Sequence, residues 1–306
     1  VSEQINRRTV LGMSAALAGV FGVGVPVRAR AAESAGKRAD VDSVKSRKFK
    51  LGLVTYNLAG NFDLSTLIKV CKSGGVEAVE FRTTHKHGVE PSLSKEQRED
   101  VKKRFADDGL VIWGLGSTCE FHSPDPAVVT RHIEECKRFV ALAHDIGAKG
   151  VKVRPNGLPA EVPAEKTLEQ IGRAVRTCAQ AADDAGVEIW VEVHGRDTSL
   201  PPNMRKIMDH ADHRAAGVCW NSNGTDVKDG SVEAGFRLLR DKLYSCHINE
   251  LTSAYPYKEL FRLLRETGYD RYTLNECQGM ESASPGDVAR FLRFYRALWD
   301  EMSQPQ

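Results

Sequence analysis

Between residues 49 and 302 the chain repeats one pattern eight times: a short apolar run rich in β-branched residues, then a longer amphipathic stretch. Runs of strand length cover residues 50–56, 77–81, 110–115, 150–154, 187–195, 217–220, 243–248 and 271–276. Helical periodicity follows each, over residues 64–71, 95–107, 166–185, 204–210, 232–240, 257–266 and 288–302, with one further helix after Asp125-Pro126. Strands alternating with helices make a parallel sheet with crossover helices. An open doubly wound sheet would carry Gly-x-Gly-x-x-Gly after an early strand, and the sequence has none. Eight units without a second composition block predict a single-domain (β/α)8 TIM barrel over residues 49–306.

The fifth run is the most informative. Val187-Glu188-Ile189-Trp190-Val191-Glu192-Val193-His194-Gly195 is a buried strand that ends on a carboxylate and an imidazole. Side chains alternate along a strand, so Trp190, Glu192 and His194 share one face, and Val191 and Val193 the other. The same parity points Cys219 inward with Asn221, and Cys246 and Cys277 outward to the helices. In barrels of this kind chemistry gathers at the carboxyl ends of the strands. Those ends carry Glu80 and Arg82, Lys152 and Arg154, Glu192 and His194, Asn221 and Asn223, His247 and Glu250, and Glu276. So many polar groups of both charge signs on one rim exceed what packing asks for. Lys152 and Arg154 are read either as binding substrate oxygens or a phosphate, or as paired with Glu80. His85, His87 and His122 lie in loops over that rim, as cover for a ligand or as surface histidines. Trp113 and Trp190 are inward residues whose default role is core packing, with a sugar-stacking wall as the alternative.

The set Glu-x-His at 192–194, Cys-Trp-Asn-Ser-Asn at 219–223, His-Ile-Asn-Glu at 247–250 and Asn-Glu at 275–276 resembles the xylose isomerase-like barrels. That group includes sugar-phosphate isomerases and epimerases, inosose isomerases and dehydratases, and ketose 3-epimerases. The resemblance implies one divalent cation (Mn, Mg, Zn or Co) held by Glu192, Asn221, His247 and Glu276, with Glu192 and Glu276 also transferring protons. His194, Arg154, Lys152, Glu80, Asn223 and Glu250 are then expected around the substrate. Asn221 departs from the family pattern, which has aspartate there. An amide oxygen can ligate a hard cation but brings no charge, so either affinity falls or the cation is lost.

The resemblance thus implies an isomerase or epimerase of a sugar, keto-sugar or cyclitol, acting by proton transfer beside a carbonyl. A keto-sugar or inosose dehydratase or lyase starts from the same enolate, and a metal-free sugar-binding barrel is the non-catalytic rival. The small-molecule partner is a sugar or keto-sugar, and a homo-oligomer is compatible with the family.

Composition bears on location and on excluded partners. Asn6-Arg7-Arg8-Thr9-Val10-Leu11-Gly12 looks like a twin-arginine export signal, followed by an apolar run and the small-x-small site Ala29-Arg30-Ala31. Residues 1–31 are therefore expected to be a cleaved signal, the protein's only tie to a membrane, and residues 32–48 a disordered linker; a periplasmic or secreted location follows. The chain has 43 Lys and Arg against 41 Asp and Glu, and without residues 1–31 it carries 39 against 40. A near-neutral body lacks the clustered cations that nucleic acid requires, which argues against an apurinic-site endonuclease on this fold. Seven scattered cysteines with no Cys-x-x-Cys read as buried hydrophobes.

Overall fold

The computed structural model describes residues 46–305; the expected export signal lies outside them. Eight parallel strands close on themselves in sequence order: β1 (Lys50–Val54), β2 (Ala78–Arg82), β3 (Val111–Glu120), β4 (Gly150–Arg154), β5 (Glu188–Glu192), β6 (Ala216–Asn221), β7 (Leu243–Ile248) and β8 (Tyr272–Asn275). Between and after them run α1 (Leu64–Gly74), α2 (Lys95–Asp107), α3 (Pro126–Ile146), α4 (Ala164–Asp184), α5 (Pro201–Ala211), α6 (Glu233–Leu239), α7 (Tyr257–Thr267) and α8 (Pro285–Ser303). The barrel expected from the repeat is the one observed.

The helix starts follow from their sequence. Asp125 accepts from the Ala127 amide at 2.9 Å, with Pro126 in the first turn, where a missing N–H does no harm. Ser94 and Gln97 form a capping box on α2, and Ser284 caps α8. Arg47, within the segment expected as linker, donates to Asp300 at 2.8 Å and lies over the Trp299 ring. That segment's last residues are thus fastened to α8.

Two apolar layers hold the barrel. The outer one lies between strands and helices and takes Val191, Val193, Cys246 and Cys277. The inner one fills the barrel with Val54, Ala78, Trp113, Trp190, Cys219, Tyr272 and Leu274. Strand parity thus sorts the cysteines as expected, and all seven are buried and free.

Trp190 and Trp113 stack with centroids 5.1 Å apart, and Trp190 donates to Glu188 at 2.8 Å. They are core, since Trp190 is fully buried and Trp113 nearly so. The indole of Trp190 fits only because glycines face it: a Cβ on Gly150 would sit 2.3 Å from Trp190 Cε2, and one on Gly114 2.5 Å from Cζ3. Gly150→Ala is therefore expected to lower the unfolding free energy by about 1–3 kcal/mol or more. Urea denaturation followed by tryptophan fluorescence would check it; a parent-like midpoint would mean the indole has room to move.

The third strand corrects the sequence reading. It runs on to Glu120, well past residue 115, where the strand-length run in the sequence ends. Gly114 and Gly116 break the apolar pattern, yet the barrel interior requires them: a Cβ on Gly116 would sit 2.9 Å from Glu80 Oε1. The extension, with an irregularity between Gly116 and Glu120, brings the Glu120 carboxylate beside β4.

Candidate active site

Above the tryptophan layer the barrel turns polar. Alternation brings Lys152 on β4, Glu192 on β5, Asn221 on β6 and His247 on β7 to one level inside the sheet, and Glu276 follows β8 directly. Asn221 and His247 are register partners on neighbouring strands.

Lys152 Nζ donates to Glu192 Oε2 at 2.8 Å, with both side chains buried. Asn221 Nδ2 donates to the other oxygen of Glu192 at 3.1 Å. His247 is fully buried, its Nδ1 3.2 Å from Glu276 Oε2 and 3.7 Å from Glu192 Oε1, its Nε2 3.1 Å from Glu80 Oε2. One ligand atom each from Glu192, His247 and Glu276 lie within 4.8 Å of one another.

Electrostatics explain how so many charges coexist. Burial alone would neutralise Lys152, but Glu192, Glu80 and Glu276 surround its ammonium and raise its pKa. Glu192 is the mirror case: burial disfavours its charge, yet Lys152 and His247 hold its carboxyl below the usual range. Burial likewise opposes charge on His247, while Cys219, Glu276 and Glu80 raise its pKa well above the ordinary imidazole value. A field that draws a proton to His247 also suits a cation. Glu80 at Nε2 leaves Nδ1 as the ligating nitrogen, the usual carboxylate–histidine arrangement behind a metal. The residues therefore fit a divalent ion, with two anionic donors, one imidazole and the neutral Asn221.

Lys152, Glu192, Asn221 and Glu276 line a cavity of about 240 Å³, and His247 is fully buried behind them, off the lining. The lining includes the expected Arg82, Lys152, Arg154, Glu192, His194, Asn221, Asn223 and Glu276, together with Tyr56, Asn57, Asn249 and Gln278, which the sequence reading missed. Two residues expected around the substrate lie off the cavity lining. Glu80 is fully buried against His247 and is not among the lining residues. Glu250 is exposed and lies outside the lining, which Asn249 joins instead, its backbone fixed by Tyr257 and Tyr295. The pairing of Lys152 or Arg154 with Glu80 is replaced by Lys152–Glu192 and by Arg154–Glu120, the latter at 2.6 Å.

The loop histidines divide. His87 is buried, with one ring nitrogen 3.0 Å from the Arg82 carbonyl and the other accepting from the Val89 amide; burial first, and then the charge of His85, take its pKa down to about 4. It is a neutral loop brace. His85 stacks on the cavity-lining Tyr56, and neither it nor His122 lines the cavity.

Asn223 is held by a carboxylate of unusual character. Asp226 accepts from the Asn223 amide and the Tyr255 hydroxyl, but burial dominates and pushes its pKa up to about 7. A carboxyl raised in the folded state contributes stability below its unfolded pKa, near 4, and loses it as pH rises through about 7. Asp226→Asn should therefore melt above the parent at pH 8, by up to a few kcal/mol, and close to it at pH 4. Thermal melts of both proteins across that window test this; parallel pH profiles would show that Asp226 titrates normally.

The sequence model for the xylose isomerase-like TIM barrel matches residues 68–298. An L-ribulose 3-epimerase of Mesorhizobium japonicum is 31% identical over 102 residues, which are 31% of this chain and 34% of that protein. The chain thus matches about a third of the length of that curated relative. Among solved structures, D-psicose 3-epimerase with D-tagatose from Clostridium cellulolyticum H10 superposes with a TM-score of 0.72 at 14% identity, covering 84% of this chain and 100% of that one. The IolI protein with a bound zinc atom does so with a TM-score of 0.71 at 15% identity, over 83% and 98%.

Proposed function

The chain belongs to the xylose isomerase-like TIM barrel family, and from that premise we propose that it is a keto-sugar epimerase or isomerase. The observation that carries the reading is the convergence of two carboxylates, Glu192 and Glu276, on a monosaccharide-sized cavity, with the buried His247 in contact with both.

Glu192, His247 and Glu276 would hold one divalent cation, Mn, Mg, Zn or Co, with Asn221 as a fourth, neutral donor. When bound, such an ion polarises the carbonyl and hydroxyl oxygens of the sugar and acidifies the carbon between them. The rest falls to the chain. Glu80 fixes the tautomer and ring plane of His247. Lys152 keeps Glu192 ionised despite its burial. One glutamate accepts the proton from the carbon beside the carbonyl, and the other delivers a proton. Delivery to the opposite face of the same carbon gives the epimer; delivery to the neighbouring carbon, with the hydroxyl proton passing to the former carbonyl oxygen, gives the aldose–ketose isomer. A single base would have to move, or use water, to reprotonate the opposite face. His194, Asn223, Asn249 and Gln278 offer hydrogen bonds to the remaining hydroxyls. The arginine pair near the start of the chain adds export to the proposal, and with it a sugar met outside the cytoplasm.

The test is incubation of the metal-loaded protein with keto-sugars in D₂O, with product analysed by NMR. Deuterium at the carbon beside the carbonyl, with an epimer or isomer formed, is the expected outcome. Loss of water from the product would reassign the site to a dehydratase. Binding without exchange would make the barrel a sugar-binding protein.

A further inference from the structure

The cavity has two unlike sides. Toward β5–β8 it offers Glu192, Asn221 and Glu276; toward β1–β4 it offers cations and amide donors whose hydrogens are not all used. Lys152 is answered by Glu192. Arg154 gives Nη2 to Glu120, which also accepts from Asn156 at 2.8 Å, but its buried Nε has no acceptor among the described residues. Asn57, held at φ 64°, presents a buried Nδ2 that likewise lacks one. Arg82 is half-buried and gives Nη1 to the Thr83 carbonyl at 2.8 Å. Its guanidinium lies 5.6 Å from the Tyr56 ring, and no ion pair joins it to a carboxylate among the described residues.

Buried donors without acceptors are rare in folded proteins and ask for an explanation. All three of these residues line the same cavity. Arg82 and Arg154 are also close enough that, after burial, the charge of Arg154 is the main force lowering the pKa of Arg82. Two like charges facing one space, one of them with no carboxylate of its own, form a receptor for an oxyanion, which a guanidinium can meet with two parallel N–H bonds. A cavity of about 240 Å³, at the small end of ligand clefts, leaves room for one sugar unit.

We propose that the substrate is an anionic monosaccharide, whose carboxylate or phosphate oxygens are held by Arg82, Arg154 and Asn57 while its keto end meets Glu192 and Glu276. This rests on the epimerase reading for its second half only. The anion site itself is defined by unmet donors on the opposite side of the cavity. Between the two sources of the oxyanion, export favours a carboxylate, since an oxidised sugar survives outside the cytoplasm where phosphosugars are scarce.

Two measurements keep the parts separate. First, solvent-deuterium exchange by the metal-loaded protein is compared for D-fructose, D-fructuronate and D-fructose 6-phosphate. One anionic sugar should exceed fructose by about 100-fold in kcat/KM, and Arg82→Met should cut that preference at least tenfold. Fructuronate as the preferred sugar assigns a carboxylate, and fructose 6-phosphate a phosphate. Second, protein stripped with a chelator is titrated calorimetrically with glucuronate, inorganic phosphate and glucose. An anion should bind where glucose does not, more weakly in Arg82→Met and intermediately in Arg82→Lys, which keeps the charge but loses the fork. Anion binding with no exchange on any sugar would uphold the anion site and sink the epimerase reading. Equal exchange on fructose and the anionic sugars, with no anion binding, would overturn the anion site and leave the epimerase reading standing.

Discussion

Glu192→Gln is expected to lose proton-transfer activity by about 10²–10⁴-fold and, with it, about 3–5 kcal/mol of stability. The second loss is the informative one. Lys152 is 3% exposed and its Nζ sits 2.8 Å from Glu192 Oε2, so a neutral amide removes the one carboxylate paired with a buried ammonium, leaving only the more distant Glu80 and Glu276. Lys152→Met alone should destabilise for the same reason, stranding the Glu192 carboxylate. The double variant removes both charges and should recover most of the stability, because a buried ion pair is held in place more by the penalty of breaking it than by its net worth. It should recover none of the exchange. Urea unfolding of the four proteins at neutral pH, where both groups are charged, gives the coupling directly. Additive losses would mean that Lys152 answers to Glu80 or Glu276 instead. Exchange restored in the double variant would remove Glu192 from the proton path.

The parts of this site that were legible in the sequence are those governed by strand parity. Residues two apart share a face, so Trp190, Glu192 and His194 turn inward together, as do Cys219 and Asn221. The same rule, applied strictly, points from His247 to Asn249 and from Glu276 to Gln278; Glu250 entered the reading through its place in the His-Ile-Asn-Glu motif, and parity overrules it. Pairings across the barrel were not legible. Which cation meets which carboxylate depends on strand stagger and on the bulge in β3, and neither leaves a local mark. Glu120 therefore went unnoticed as the partner of Arg154, and Glu80 was assigned to the wrong neighbour. A glycine hid the upper half of β3, because Gly116, just past the run at 110–115, looks like a turn residue until Glu80 opposite it is known. Tyr56 read as the end of the first strand and Asn57 was not singled out; their turn toward the cavity comes from the left-handed Asn57 just past β1.

Asn221→Asp is expected to reverse the sign of its effect with metal. Asn221 Nδ2 now donates to Glu192 Oε1 at 3.1 Å, so an aspartate would set two carboxylates against each other in the metal-free protein. Like charges that close disfavour joint ionisation, and the chelator-treated variant should melt below the parent. With a divalent cation between them the same pair becomes attractive, since the donor set then carries three negative charges in place of two. Affinity for Mn or Zn should rise about 10- to 100-fold, equivalent to about 1.4–2.8 kcal/mol, and the loaded variant should melt above the loaded parent by mass action. Competition against a fluorescent chelator gives the affinities, and melts with and without metal give the two signs. A variant that melts lower in both conditions, with unchanged affinity, would take residue 221 out of the ligand set. The cation would then be held by Glu192, His247 and Glu276 alone, and Asn221 would serve as the hydrogen-bond donor that, with Lys152, keeps the Glu192 carboxylate in place.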